Sequence, residues 1–161
     1  MAIQINNDSE LIFVIQNIQQ SVLESIAQKA TDLIKEYVLS EVYQSYEPIG
    51  LGNGFTYIEG GGGEFGRTQE FADAWGEIDK DINSIIIGYL DNMITAEPEA
   101  YIHSSPNYPI DAEKLADLIF GGYEVFKTGY EIPARDAWDM FITDLNIQLP
   151  LWVQEALVGV I

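Results

Sequence analysis

The chain has 161 residues, the usual size of one domain, with 26 Asp and Glu against 7 Lys and Arg and a formal net charge of -19. Because 47% of the residues are hydrophobic, the charge belongs to a folded body and not to a disordered chain. The charge disfavours direct nucleic-acid binding, which needs clustered cations, and the lack of cysteine excludes disulfides, thiolate nucleophiles and cysteine-ligated metals.

The N-terminal part of the sequence predicts one long amphipathic helix. Asp8 and Ser9 offer an N-cap, and apolar residues then recur at spacings of three and four as far as Val42. Additional apolar neighbours widen the stripe into a face that packs on a sheet or on other helices. A break between Gln16 and Gln20 is compatible with the pattern.

A segment rich in glycine and proline follows, at about residues 48–66. Pro48 ends the helix, Phe55–Ile58 predicts a brief strand, and Gly60–Gly63 predicts a loop with high backbone freedom. A phosphate-binding loop is disfavoured, because no Lys-Ser or Lys-Thr follows the glycines and two glutamates flank them.

The middle of the chain predicts a short helix and then a strand. Thr68 can cap a helix that carries Phe71 and Trp75 on one face and stops at Gly76. The isoleucine-rich stretch Ile82–Leu90 predicts a buried strand, which we expect at the centre of the sheet.

The C-terminal third predicts two further helices. Asp111 caps the first, with Ile110 and Leu115 as a hydrophobic staple, and this helix ends at Gly121-Gly122. Pro133 opens the second, whose apolar stripe extends from Ala137 to Leu145, and an apolar tail follows at residues 149–161. We therefore expect one α+β domain over residues 1–161, with a long N-terminal helix and two or three further helices packed on a small, mostly antiparallel sheet.

The sequence contains no set of residues typical of a catalytic or metal site. Carboxylate pairs are abundant enough to arise by chance, the acidic segment Asp73–Asp81 lacks the spacing of a calcium loop, and His103 is the sole histidine. We predict no enzyme activity, no cofactor and no metal. No segment predicts a signal peptide or a membrane span, so we expect synthesis in a cytoplasm and no membrane partner.

The long helix and the Pro/Gly-rich segment precede Arg67-Thr68-x-x-Phe71 with Ala74-Trp75, and then come the isoleucine strand and Ile132-Pro133-Ala134-Arg135 opening a helix. This order of elements resembles a family of phage virion proteins, the tail-completion or head–tail joining (neck) proteins. The family pattern has glycine and serine where this chain has Gln69 and Ala74, and the sequence after Leu145 lies outside it.

The resemblance implies a structural subunit of the virion, made in the host cytoplasm, that assembles into a ring and contacts other head or tail proteins. It points to five contact residues: Arg67, Thr68, Phe71, Trp75 and Arg135. The alternative roles are structural, with Phe71 and Trp75 in the core, Thr68 as a cap and Arg135 in a local ion pair. Two other functions stay open: an acidic DNA mimic that inhibits a host nucleic-acid enzyme, and a small hydrolase that uses paired carboxylates.

Overall fold

The computed structural model describes residues 7–44, 70–94, 112–125, 130–132 and 134–160. Several sequence predictions lie outside these ranges: the Pro/Gly-rich segment at residues 48–66 with Phe55–Ile58, the caps Thr68 and Asp111, and Pro133. The described residues form an α+β fold with a long N-terminal helix, three further α-helices and small antiparallel sheets, as the sequence predicts.

The first helix, α1, spans Asp8–Tyr37 without interruption and continues as a π-helical segment, Val38–Gln44. The break considered near Gln16–Gln20 does not occur. The predicted cap was wrong by one residue, because Asn7 has the extended backbone and its side chain accepts a hydrogen bond from the Glu10 N–H. Asp8 and Glu10 in the first turn favour this start electrostatically.

A short helix and a hairpin follow. Helix α2 spans Glu70–Asp73, strand β1 spans Trp75–Lys80 and strand β2 spans Ile85–Tyr89. The strands pair antiparallel from Trp75 opposite Tyr89 to Lys80 opposite Ile85, with a register irregularity between Glu77 and Asp79.

Two predictions for this region were wrong. Trp75 and Gly76 belong to β1 and not to a helix, because the chain turns at Ala74, whose carbonyl accepts the Leu90 N–H and so closes the hairpin. The isoleucine strand is only partly buried, since the side chain of Ile86 is 52% exposed, and within the described residues its sheet has two strands and no centre.

The C-terminal third contains two helices and a second hairpin. Helix α3 spans Ala112–Gly121 and ends, as predicted, at Gly122, whose φ of 70° is the left-handed conformation that favours glycine. Strands β3, Tyr123–Val125, and β4, Tyr130–Ile132, pair antiparallel and form a hairpin that no sequence pattern predicted. Helix α4 spans Ala137–Val160, includes Pro150, and takes up most of the predicted apolar tail.

The buried core lies between the C-terminal half of α1, α2, the start of β1 and the start of α4. Its members are Ala30, Ile34, Val38, Phe71, Ala72, Trp75 and Phe141. Ala30 and Ile34 of α1 and Val38, the residue that follows it, are spaced four apart, which places them on one helical face. The core therefore lies against the C-terminal half of α1.

Candidate interaction surface

Two of the five predicted contact residues lie in the core. The side chains of Phe71 and Trp75 are 4% and 5% exposed, and their ring centroids are 6.0 Å apart in an edge-on arrangement. Phe120, Tyr89 and Trp138 surround them at centroid distances of 5.4 to 6.0 Å. A partner that binds the folded chain cannot reach most of either side chain, so these two residues stabilise the packing of β1 and α2 against α1 and α4.

The other three predicted contact residues are Arg67, Thr68 and Arg135. Arg135 is half-buried before α4, and its backbone N–H donates to the Ile119 carbonyl at 3.2 Å. Arg67 and Thr68 lie outside the described residues. Their contact with a partner stays a prediction.

A small cavity lies beside Trp75, between α1, the hairpin and α4. Its lining includes Thr31, Ile34, Gly76 and Phe141, and its volume of about 10 Å³ holds no more than one water molecule. The indole Nε1 of Trp75 is buried and has no hydrogen-bond partner within the described part of the chain. This space is far smaller than the hundreds of Å³ of a small-molecule site.

The described ranges also hold no group of three or more His, Asp or Glu side chains placed to bind a metal ion. The exposed surface along the two long helices, α1 and α4, is therefore the remaining candidate for a functional site.

Helices α1 and α4 pack antiparallel, and three side-chain contacts set their register. The ammonium of Lys29 lies 2.6 Å from a carboxylate oxygen of Glu155 and 5.9 Å from the ring centroid of Trp152. Nearer the core, the hydroxyl of Tyr37 donates to the carboxylate of Asp144. This hydrogen bond, with the negative charge beside it, raises the pKa of Tyr37 to about 12.

The β1–β2 hairpin runs along α1 and ends at Gln19. The ammonium of Lys80 lies 2.6 Å from a carboxylate oxygen of Glu24, and the amide of Gln19 donates to Asn83 at 3.3 Å in the hairpin turn. The hydrogen bond with Lys80 lowers the pKa of Glu24 and raises that of Lys80. Asp81 closes the turn by accepting the N–H groups of Asn83 and Ser84, which lowers its own pKa.

The first eleven residues of α1, Asp8–Ile18, extend beyond Gln19, and we call them the α1 overhang. At 1.5 Å per residue the overhang is about 16 Å long. Its large apolar side chains are strongly exposed: Leu11 by 41%, Ile12 by 55%, Phe13 by 63% and Ile15 by 52%. Such a cluster on one helix end is typical of a surface that another molecule covers.

A second exposed apolar surface lies on the last turns of α4, residues 147–158, which we call the α4 tail. Its exposed members are Ile147, Leu149, Leu151, Leu157 and Val158. Since α4 runs antiparallel to α1 and ends at Val160, the α4 tail lies towards the end of the molecule from which the overhang extends.

Sequence reasoning missed both surfaces, although one signal was present. Leu11–Ile15 is a run of five consecutive apolar residues, which on a helix surrounds the axis and cannot all face one core. The spacing of three and four alone places it in a single packing stripe. Among the described helices, none is both long and apolar enough to cross a membrane.

Comparison with protein-family models, with curated proteins and with solved structures gives no match to this chain. The function proposed below therefore depends on the geometry described above and on the resemblance of motifs in the sequence.

Proposed function

We propose that this chain is a structural, non-enzymatic subunit of a tailed-phage virion, a tail-completion or head–tail joining protein that acts by protein–protein assembly. It is synthesised in the host cytoplasm and resides in the virion, where it assembles into a ring and contacts other head or tail proteins. The observation that carries the proposal is the exposed apolar surface of the α1 overhang and the α4 tail on a chain of net charge -19.

The contrast between charge and apolar exposure supports a role in assembly. A charge of this size keeps free subunits apart by mutual repulsion, while a large apolar surface favours burial against another protein. A high net charge together with an exposed apolar surface is expected of a subunit that stays soluble until it binds its partners in a larger particle. The buried aromatic rings around Trp75 give that subunit a rigid body.

The test is removal of the gene from a phage or prophage that carries it. We expect electron micrographs of the lysate to show heads and tails that fail to join, and mass spectrometry of gradient-purified wild-type particles to detect the chain at a fixed copy number per particle. Expression of the full chain from a plasmid should restore joined particles and infectivity.

Two outcomes would overturn the proposal. One is a deletion phage with normal particles and normal infectivity, with the wild-type chain found solely in the soluble fraction. The other is turnover of a substrate by the purified chain that is lost when a single carboxylate pair is replaced and the fold is retained.

A further inference from the structure

Among the described side chains, the indole of Trp75 alone has a buried nitrogen or oxygen atom without a hydrogen-bond partner. The residue is 5% exposed, so bulk solvent does not hydrate its N–H group. A buried donor without a partner has lost the hydrogen bond with water that it makes in the unfolded chain, and this loss destabilises the fold. Buried donors in folded proteins are therefore nearly always paired, either with a protein group or with an ordered water molecule.

The aromatic neighbours of Trp75 hold its ring but do not accept its proton. Four rings have their centroids within 6.0 Å of the Trp75 centroid, those of Phe71, Tyr89, Phe120 and Trp138. The phenylalanine rings have no nitrogen or oxygen atom, and the indole N–H of Trp138 is a donor like that of Trp75. The hydroxyl of Tyr89 donates to the Ala112 carbonyl at 2.9 Å. The acceptor for the Trp75 N–H must therefore come from elsewhere.

The cavity beside Trp75 has the size of one water molecule. Its volume of about 10 Å³ is at the lower end of the range, about 10–15 Å³, that a buried water needs. A ligand with several heavy atoms is too large for this space, so its size alone identifies water as the ligand that fits.

The lining of the cavity includes enough polar groups for a water molecule. A cavity lined by apolar side chains alone stays dry, and a buried water needs at least two polar partners. Besides Trp75, the lining includes Thr31, which is 9% exposed, and the glycines Gly76 and Gly88, which lie opposite each other in the hairpin. The Thr31 hydroxyl can donate and accept, and a backbone carbonyl keeps a second lone pair after it has accepted one hydrogen bond.

We propose that this cavity binds one water molecule, which accepts a hydrogen bond from the Trp75 indole and connects it to the hydroxyl of Thr31. The water links α1 to the first residue of β1, beside a core cluster whose members are all apolar. Because a hydrogen bond is directional and apolar contacts are not, this link fixes the position of the hairpin on α1. The inference concerns the interior of the folded chain and goes beyond the proposed function.

The first test detects the water by NMR spectroscopy. The chain has three tryptophans, and Trp138→Phe and Trp152→Phe assign the three indole signals. We expect the Trp75 indole proton to show a nuclear Overhauser effect with water whose sign indicates a long-lived contact, and rotating-frame spectra separate this effect from proton exchange. Thr31→Val, which removes a partner of the water, should abolish the effect, whereas Thr31→Ser keeps the hydroxyl and should retain it.

The second test measures the coupling between the two side chains. In the wild type, Thr31→Val should raise the equilibrium constant for unfolding about 5- to 30-fold, because it leaves the Trp75 donor without its partner. In the Trp75→Phe background, which has no such donor, the same change should have a much smaller effect. The control is Thr143→Val, which removes an exposed hydroxyl of α4 and should act equally in both backgrounds within about twofold. Urea denaturation measures each constant, and the NMR test remains informative if Trp75→Phe misfolds.

A Trp75 indole proton without a long-lived water contact in the folded wild type would overturn the inference. So would a high-resolution crystal structure in which the Nε1 atom donates directly to a protein group, or equal effects of Thr31→Val in the two backgrounds. None of these measurements involves virion assembly, so the water site and the proposed function can fail independently of each other.

Discussion

The two halves of α1 have similar apolar content but differ in what surrounds them. In the C-terminal half the buried residues Ala30 and Ile34, with Val38 directly after the helix, are spaced four apart, and α4, the hairpin and α2 cover that face. In the N-terminal half five apolar residues follow one another, and most of them are exposed. The spacing therefore distinguishes a helix end that is packed in the core from one whose apolar side chains stay exposed.

The largest expected effect tests this difference with two phenylalanines. Phe71 is 4% exposed in the core and Phe13 is 63% exposed in the overhang. Phe71→Ala should lower the free energy of unfolding by about 3–5 kcal/mol, because it removes transfer free energy and leaves a cavity. Phe13→Ala should change it by less than about 0.5 kcal/mol. Urea denaturation followed by circular dichroism measures both.

Both variants are compared with the wild type in dilute solution, so that self-association does not contribute to the measured stability. A loss of several kcal/mol for Phe13→Ala in dilute solution would show that the overhang packs within the subunit.

The comparison also explains what the sequence could and could not predict. Regular spacing revealed α1, and Gly121-Gly122 revealed the end of α3, because these signals are local. The strand position of Trp75 was missed because its spacing from Phe71 also fits a helix, and the choice was made by a backbone hydrogen bond from Leu90, fifteen residues later.

The exposed apolar surfaces of the α1 overhang and the α4 tail were not predicted from the sequence for a similar reason. The same apolar residue types occur in a core and on an exposed surface, so the sequence does not distinguish the two. The exposure of a side chain depends on where the neighbouring elements end. The length of the overhang follows from the contacts of Lys29 with Glu155 and of Gln19 with Asn83, both between residues far apart in the chain.

A smaller, pH-dependent effect should identify the contact that fixes the core half of α1 against α4. Tyr37 donates to the Asp144 carboxylate, and its folded-state pKa of about 12 lies above its ordinary value of 10.0. Because the folded state holds this proton more tightly, the contribution to stability is complete below pH 10. It is lost as the pH rises from 10 to about 12.

Tyr37→Phe removes that contribution, so the difference in stability between wild type and variant should shrink over the same pH range. Asp144→Asn, which keeps a hydrogen-bond acceptor and removes the charge, should reduce the pH dependence without abolishing the contact. Chemical denaturation at several alkaline pH values measures each difference. A difference that stays constant up to pH 12 would contradict the assigned partner.

The smallest expected effect lies at the boundary between the two halves, where Lys80 pairs with Glu24. The pair is exposed, so solvent screens it and its contribution to stability is small. Lys80→Met alone would mislead, because it also makes an acidic chain more acidic.

A double-mutant cycle of Lys80→Met with Glu24→Gln isolates the pairwise contribution to stability. We expect a small stabilising coupling at neutral pH that weakens in high salt and, because the folded-state pKa of Glu24 is lowered, disappears as falling pH protonates that carboxylate. A coupling that salt and acid do not change would mean that Lys80 holds the hairpin against α1 through the packing of its alkyl chain. The charge pair would then not determine where the overhang begins.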